Sequence, residues 1–330
     1  MQKRISGTKV CWGMIGTGDV TEIKSGPAFS KINHSQLVGV TNRTLAKAQD
    51  YAKRHQVKVY NDVAALLADP EINAVYIATP PDAHLPLARQ VAEAGKPCYL
   101  EKPMARTEAE CAAILELFSS RNLPLYVAYY RRSLPNFLKV RSLLEQKAIG
   151  DVRAVKINLV QASDADIVIQ TEKNWRVNPT TSGGGYFYDL ASHQFDLLEF
   201  LLGPIASLSG YKLNQAGHYA AADMVSASWH FSSGVIGSGC WSFNAGESSK
   251  NEEITILGSQ GKIRFPCFGA GIVHIDHESS TETFSFDLPK HIQQPLIESI
   301  VSDLLGKSVC PSTGATAMRA NHWLEQVQMI

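Results

Sequence analysis

The sequence predicts a two-domain α/β protein: a doubly wound parallel sheet over residues 1–125, then an α/β domain over 126–330 built on a mainly antiparallel sheet. Three observations carry this. The chain has 330 residues, more than one hydrophobic core usually serves. Up to about residue 125 short β-branched runs alternate with helical ones, the punctuation of βαβ units. Beyond about residue 150 longer strands instead follow one another across turn signals.

Taken in order, strands are expected at 9–15, 36–41, 73–79, 97–101 and 124–129, with helices at 44–55, 62–69, 84–95 and 107–121 between them. Such an alternation makes the sheet parallel. In the second half, strands are expected at 152–161, 224–231, 235–243, 253–258 and 262–265. Glycine, which tolerates positive φ, marks hairpins at Ser232-Ser233-Gly234 and between Gly258 and Gly261. One long helix, 186–202, lies among these strands and stops at Gly203-Pro204.

Composition bounds the function. Apolar residues make up 45% of the chain and charged ones 19%, an ordinary globular mix. With 31 basic and 31 acidic residues and no block of like charge, nucleic acid and membrane surfaces are excluded as partners and small molecules favoured. The six cysteines show no C-x-x-C spacing, so neither a zinc ribbon nor a disulfide framework is expected. The start, MQKRISGTKVCWGMIG, runs into a short strand without an apolar leader or cleavage site, so a cytoplasmic protein is expected.

Strand one ends in Gly16-Thr17-Gly18-Asp19-Val20-Thr21, a G-x-G-x-x-T form of the dinucleotide fingerprint. Its glycines permit the tight turn and let a pyrophosphate approach the backbone. A plain glycine turn is the rival reading; the loop's place after the first strand of a βαβ pattern favours a Rossmann nucleotide site. Thr21 replaces the third glycine and is expected to hold helix and strand slightly apart. At the end of strand two, Thr41-Asn42-Arg43-Thr44 lacks the acid that usually takes the ribose hydroxyls of NAD. Arg43 could pair a 2′-phosphate, so NADP is favoured over NAD, the alternative being a solvated loop cation.

Two further strand ends carry Thr79-Pro80-Pro81-Asp82-Ala83-His84 and Glu101-Lys102-Pro103. Both fall on the carboxyl edge of the parallel sheet, where open α/β sheets bind ligands. A lysine there points to function, since structural lysines usually lie on solvated helix faces. Farther on, Gly183-Gly184-Gly185 permits close approach of a backbone or ligand and leads into the long helix. On it Asp189 and His193, at i and i+4, share a face beside Asp196, so a carboxylate can orient the imidazole. A surface ion pair or a metal half-site are the alternatives. No H-E-x-x-H or other ligand cluster accompanies the pair, and no metal is expected.

The G-x-G loop, the Glu101-Lys102-Pro103 triplet, and the run from Asn174-Trp175-Arg176 through the three glycines to Asp189, His193 and Asp196 resemble the glucose-fructose oxidoreductase, inositol dehydrogenase and MocA family (Gfo/Idh/MocA) over essentially the whole chain. The resemblance implies a second domain with a large open sheet that mediates dimerisation, hence a homodimer or homotetramer. It implies that Gly16, Gly18, Asp19, Val20, Asn42 and Arg43 line the cofactor, joined by Thr79, Pro80, His84, Glu101 and Lys102. It places Lys102 near the nicotinamide ribose and reacting oxygen, makes His193 the acid/base and Asp189 a substrate ligand, and predicts a cis Lys102-Pro103 peptide. Tyr130, Arg131, Trp175 and Arg176 are the further substrate-binding candidates. Tyr129-Tyr130-Arg131-Arg132 departs from the family, whose members often show Asn or His before the arginines. The implied activity is hydride transfer between NADP or NAD and a sugar-like or small cyclic polyol or carbonyl. Alternatives within the family are a glycosidase that oxidises transiently with NAD, and a non-catalytic NADP-binding regulator. Retention of Lys102, Asp189 and His193 together argues against the regulator.

Overall fold

The computed structural model describes residues 5, 7–162 and 174–330. The chain forms two compact units, Met1–Ser133 with Pro289–Met318, and Leu134–Leu288 with Arg319–Ile330. The return of Pro289–Met318 to the first unit has no local signature, because its helix patterns like any other amphipathic helix. Among the described residues no helix is long and apolar enough to cross a membrane.

Six strands build the sheet of the first unit: β1 (Val10–Ile15), β2 (Ser35–Thr41), β3 (Lys58–Val59), β4 (Ala74–Ile77), β5 (Cys98–Leu100) and β6 (Leu125–Val127). All pairs are parallel, in the order β3-β2-β1-β4-β5-β6. That is the doubly wound order expected of a Rossmann sheet. Every residue of β4, β5 and β6 is buried, as in strands covered on both faces. The connecting helices are α1 (Leu45–His55), α2 (Val63–Ala68), α3 (His84–Glu93) and α4 (Glu108–Ser119). Asp62 and Thr107 cap α2 and α4 by accepting the amides of Ala65 and Glu110.

The first crossover differs from expectation. After the glycine loop the chain makes a π-helical turn, Val20–Lys24, and then a 3-10 turn, Gly26–Ser30. Thr21 is fully buried and its hydroxyl folds back on the carbonyl of Gly18 at 2.7 Å, competing with the regular helix ladder. Pro27 then restricts the residue before it and lacks an amide proton. The effect ascribed to Thr21 is therefore a different turn.

The second unit contains α5 (Pro135–Glu145), α6 (Pro179–Ser182) and α7 (Gly185–Leu202). Its sheet comprises β7 (Val152–Ala162), β8 (Ile205–Leu213), β9 (Met224–Phe231), β10 (Ile236–Ala245), β11 (Asn251–Gly258), β12 (Lys262–Phe265), β13 (Gly271–Asp276), β14 (Thr281–Phe286) and β15 (Val327–Met329). The order is β14-β13-β12-β11-β7-β10-β9-β8-β15. Pairing is antiparallel except at β7 with β10 and β8 with β15, so the sheet is mixed but mainly antiparallel. Both expected hairpins form, β9 to β10 around Gly234 at φ 87° and β11 to β12 across Gly258 and Gly261. In β9, Val225, Ala227, Trp229 and Phe231 point inward while Ser226, Ser228 and His230 are exposed, the period-two pattern of a sheet covered on one face. α7 covers the inward face, with Phe187 and Phe195 at 5.2 and 5.6 Å from Trp241. The returning helix α8 (Gln294–Leu304) buries Leu296, Ile297, Ile300, Val301 and Leu304 in the first unit, and α9 (Gly314–Glu325) follows.

Candidate active site

Because β1, β4 and β5 are parallel neighbours, their carboxyl ends form one edge. Gly16 turns the chain there at φ 101°, and a Cβ on it would lie 2.6 Å from the Ala78 carbonyl, so only glycine fits. Gly18 is exposed, and a Cβ there would meet nothing within 4 Å. Asp19 is exposed beside it and Val20 partly so. The Asn42 amide donates to the Thr17 hydroxyl at 2.8 Å and accepts the Thr44 amide at 2.9 Å, so this side chain shapes the corner between loop and strand two. Arg43 is exposed at that corner.

Thr79 and Pro80, at the end of β4, are partly buried, and the Thr79 hydroxyl is buried without a hydrogen-bond partner. His84 is fully buried, with Nδ1 3.1 Å from the Met104 carbonyl and Nε2 2.9 Å from the Thr79 carbonyl. Both ring nitrogens thus face the protein's own backbone, and His84 pins the strand end rather than presenting a nitrogen to a cofactor. Burial holds its pKa below the usual imidazole value of 6.5. A group whose folded pKa is depressed takes its proton more readily when unfolded. Its contribution is therefore complete above 6.5 and is lost as pH falls through that value toward the folded pKa. Thermal midpoints should accordingly fall as pH drops below 6.5, with a shallower slope in His84→Gln, and equal slopes would contradict this.

At the end of β5 the Lys102-Pro103 peptide is cis, as the resemblance implied. Lys102 is partly exposed, whereas Glu101 is 7% exposed. The Glu101 carboxylate accepts the Tyr76 hydroxyl at 2.6 Å and the Gln293 amide at 2.8 Å on one oxygen, and the Lys102 backbone amide at 3.3 Å on the other. Nothing local in the sequence marks Tyr76 or Gln293. Tyr130 and Arg131 belong to a buried 3-10 turn after β6, with the guanidinium 4.9 Å from the Tyr130 ring centroid.

In the second unit, α7 carries the other candidates. Gly183 and Gly185 sit at φ 91° and 76°. A Cβ on Gly184 would enter the Tyr188 ring, and one on Gly185 would collide with the Ala221 methyl. Close approach is thus used by the protein's own packing. Asp189 and His193 stand one turn apart on α7. Asp189 pairs with Arg176 at 3.4 Å, and the Arg176 guanidinium lies 4.6 Å from the Trp175 ring centroid. Asn174 fixes this stretch by accepting the Arg176 amide at 3.2 Å and donating to the Tyr186 hydroxyl at 2.7 Å. His193 is 3% exposed and packs edge-to-face on Phe268, centroids 5.9 Å apart. Glu252 in turn accepts the amides of Cys267 and Phe268 at 2.8 and 3.0 Å, which anchors the loop carrying Phe268. Sequence reasoning missed Glu252 and Phe268, because a carboxylate facing amides some fifteen residues away has no linear pattern.

The first unit's edge suits a dinucleotide: a glycine with open space in front, a buried hydroxyl lacking a partner, and an exposed cation where residues 41–44 include no acid. Comparison with known proteins agrees. The family model described as oxidoreductase family, NAD-binding Rossmann fold matches residues 10–129, and that of the GFO/IDH/MocA C-terminal domain matches 137–264. An oxidoreductase of Formosa agariphila is 39% identical over 321 residues, covering 96% of this chain and 98% of its own. Inositol 2-dehydrogenase of Rhizobium meliloti is 30% identical over 66% of this chain and 64% of its own. In fold, the chain is similar to aldose-aldose oxidoreductase of Caulobacter crescentus complexed with glycerol, at a TM-score of 0.85 and 20% identity, covering 96% of each chain. It is also similar to a levoglucosan dehydrogenase in complex with NADH and levoglucosan, at 0.82 and 22%, covering 97% and 95%. With both domains matched and a full-length relative at this identity, the chain belongs to the Gfo/Idh/MocA family and is an NAD(P)-dependent oxidoreductase acting on CH-OH groups.

Proposed function

We propose that this chain interconverts a ring alcohol and its ketone on a sugar-like or small cyclic polyol, with NADP preferred over NAD. The observation that carries the reading is a partly exposed lysine, Lys102, at the same carboxyl edge of the parallel sheet as the open glycine loop. Relatives named for inositol and levoglucosan support the substrate class. A panel of inositols, anhydrosugars, aldoses and keto-sugars with each nicotinamide cofactor tests it. Oxidation of a cyclic member is expected, and activity only on acyclic alcohols or none would overturn the class.

When bound, the nicotinamide supplies the hydride acceptor or donor. The chain's own residues handle charge and protons. The His193 imidazole takes the hydroxyl proton during oxidation and returns it during reduction, the general acid/base role that imidazoles most often fill. The Lys102 ammonium stabilises the alkoxide that develops on the same oxygen. Asp189, held by Arg176, binds and orients the substrate. Trp175 and Arg176, and in the first unit Tyr130 and Arg131, are the further residues proposed to contact substrate.

Arg43 supports the NADP preference, since a guanidinium can pair a 2′-phosphate bidentately. Arg43→Ala should weaken NADPH by about 1–3 kcal/mol and leave NADH nearly unchanged in fluorescence titrations. Equal losses would remove Arg43 from that role. We further propose a cytoplasmic homodimer or homotetramer. Ser209, Ser228 and Ser238 stand in register on the outward face of the nine-stranded sheet, with Tyr211 and Ile236 exposed at 55% and 61%. Small residues flanked by apolar ones suit face-to-face association. A monomeric mass by light scattering at micromolar concentration would contradict it.

A further inference from the structure

Gln293 lies 192 positions from Glu101 in sequence, yet both belong to one buried chain of hydrogen bonds within the first unit. Tyr99 donates its hydroxyl to the Gln293 side-chain oxygen at 2.6 Å, which turns the amide nitrogen toward Glu101 at 2.8 Å. Tyr76 donates to the same carboxylate oxygen at 2.6 Å and lies 3.0 Å from the Ser25 hydroxyl. Ser25, Tyr76 and Tyr99 are 0% exposed and Gln293 is 1% exposed. Burial and the Glu101 charge hold the Tyr76 hydroxyl far above its usual pKa, so it remains a donor. The Gln293 backbone amide also donates to the Lys24 carbonyl at 3.1 Å, at the end of the turn that follows the glycine loop.

We propose that Gln293 and Tyr76 are positioning residues that hold Lys102 for hydride transfer by clamping one oxygen of the Glu101 carboxylate. The inference rests on the reading of Lys102 as the alkoxide-stabilising group. With Oε1 occupied by two donors, Oε2 is directed to the Lys102 backbone amide at 3.3 Å. A buried carboxylate deprived of one donor reorients to recover it, because an unmet acceptor in a low-dielectric interior is costly. That reorientation shifts the backbone from which the lysine projects. Gln293 thereby ties the lysine's strand end to the glycine-loop turn through a segment from the far end of the chain.

The test uses the full chain saturated with NADPH and two variants, Gln293→Leu and Tyr76→Phe. The first readout is competitive amine acetylation quantified by peptide mass spectrometry, with Lys58, 53% exposed, as internal reference. Lys102 should label several-fold faster in each folded variant, and in the double variant no faster than in either single one, since both act through one oxygen. The second readout is single-turnover reduction of NADP+ by the most active polyol of the panel. Each variant should be roughly tenfold slower, yet in a Lys102→Ala background Gln293→Leu should change nothing further. Unchanged Lys102 labelling in folded Tyr76→Phe, or a full additive loss in the Lys102→Ala background, would overturn the proposal. Tyr76→Phe removes only a hydroxyl and carries the test if Gln293→Leu misfolds. Near-normal turnover of Lys102→Ala itself would instead strike the reading of the lysine, so the two failures are separable.

Discussion

His193→Ala is expected to slow hydride transfer by at least about a hundredfold while leaving cofactor affinity almost unchanged. A positioned acid/base is worth roughly a hundred to ten thousand-fold, and the loss should fall wholly on the chemical step. The surroundings of His193 sharpen the expectation. Its ring is 3% exposed and packed against Phe268, whose loop is anchored by Glu252, so a proton carrier with few alternative orientations is removed. Alanine leaves space beside Phe268, and circular dichroism with a thermal midpoint separates that packing cost from lost chemistry. The rate should be read at saturating cofactor in single turnover. A rate within a few-fold of wild type in a folded variant would contradict the acid/base assignment.

Lys102→Ala should cost about a hundred to a thousandfold in the same measurement, the size expected when a donor aimed at developing oxyanion charge is lost. Unlike the histidine variant, it should also loosen the cofactor modestly if the ammonium group lies near the nicotinamide ribose. Lys102→Arg separates charge from placement: it keeps the cation but replaces a compact ammonium with a planar fork. Partial recovery of cofactor affinity with little recovery of rate is expected. Full recovery of rate by arginine would show that net charge alone matters there.

The parts of this molecule with local causes were legible in the sequence. Gly16, the βαβ alternation, the run at Glu101-Lys102-Pro103 and the hairpin at Gly234 depend on neighbours in the chain, and the structure bears out the elements they announce. One feature misled through a generic rule. Thr21 was expected only to space a helix from a strand, but its hydroxyl bonds to the carbonyl of Gly18 and a π-helical turn forms instead. Glycines 183 to 185 read as room for a backbone or a ligand, and at 184 and 185 the close approach is made by Tyr188 and Ala221 of the protein itself. Asp189 reads as the orienting neighbour of a histidine one helical turn away, and the structure adds an ion pair with Arg176, thirteen residues upstream, that no helical spacing announces. Asn42 also shapes the loop corner and His84 pins the strand end, contacts that only the folded chain shows. Gln293 and Glu252 were invisible for one shared reason: each meets its partners only after distant segments pack, and no periodicity records that meeting.

The central claim is net hydride transfer from a ring alcohol, and stoichiometry tests it most directly. Wild-type enzyme, NADP+ in excess and a limiting amount of the most active cyclic polyol should be followed by the absorbance of the reduced nicotinamide, with the ketone counted by mass spectrometry. The account predicts one reduced cofactor formed for each ketone produced. Consumption of the polyol with no net reduced cofactor, or far less than one per molecule consumed, would contradict it.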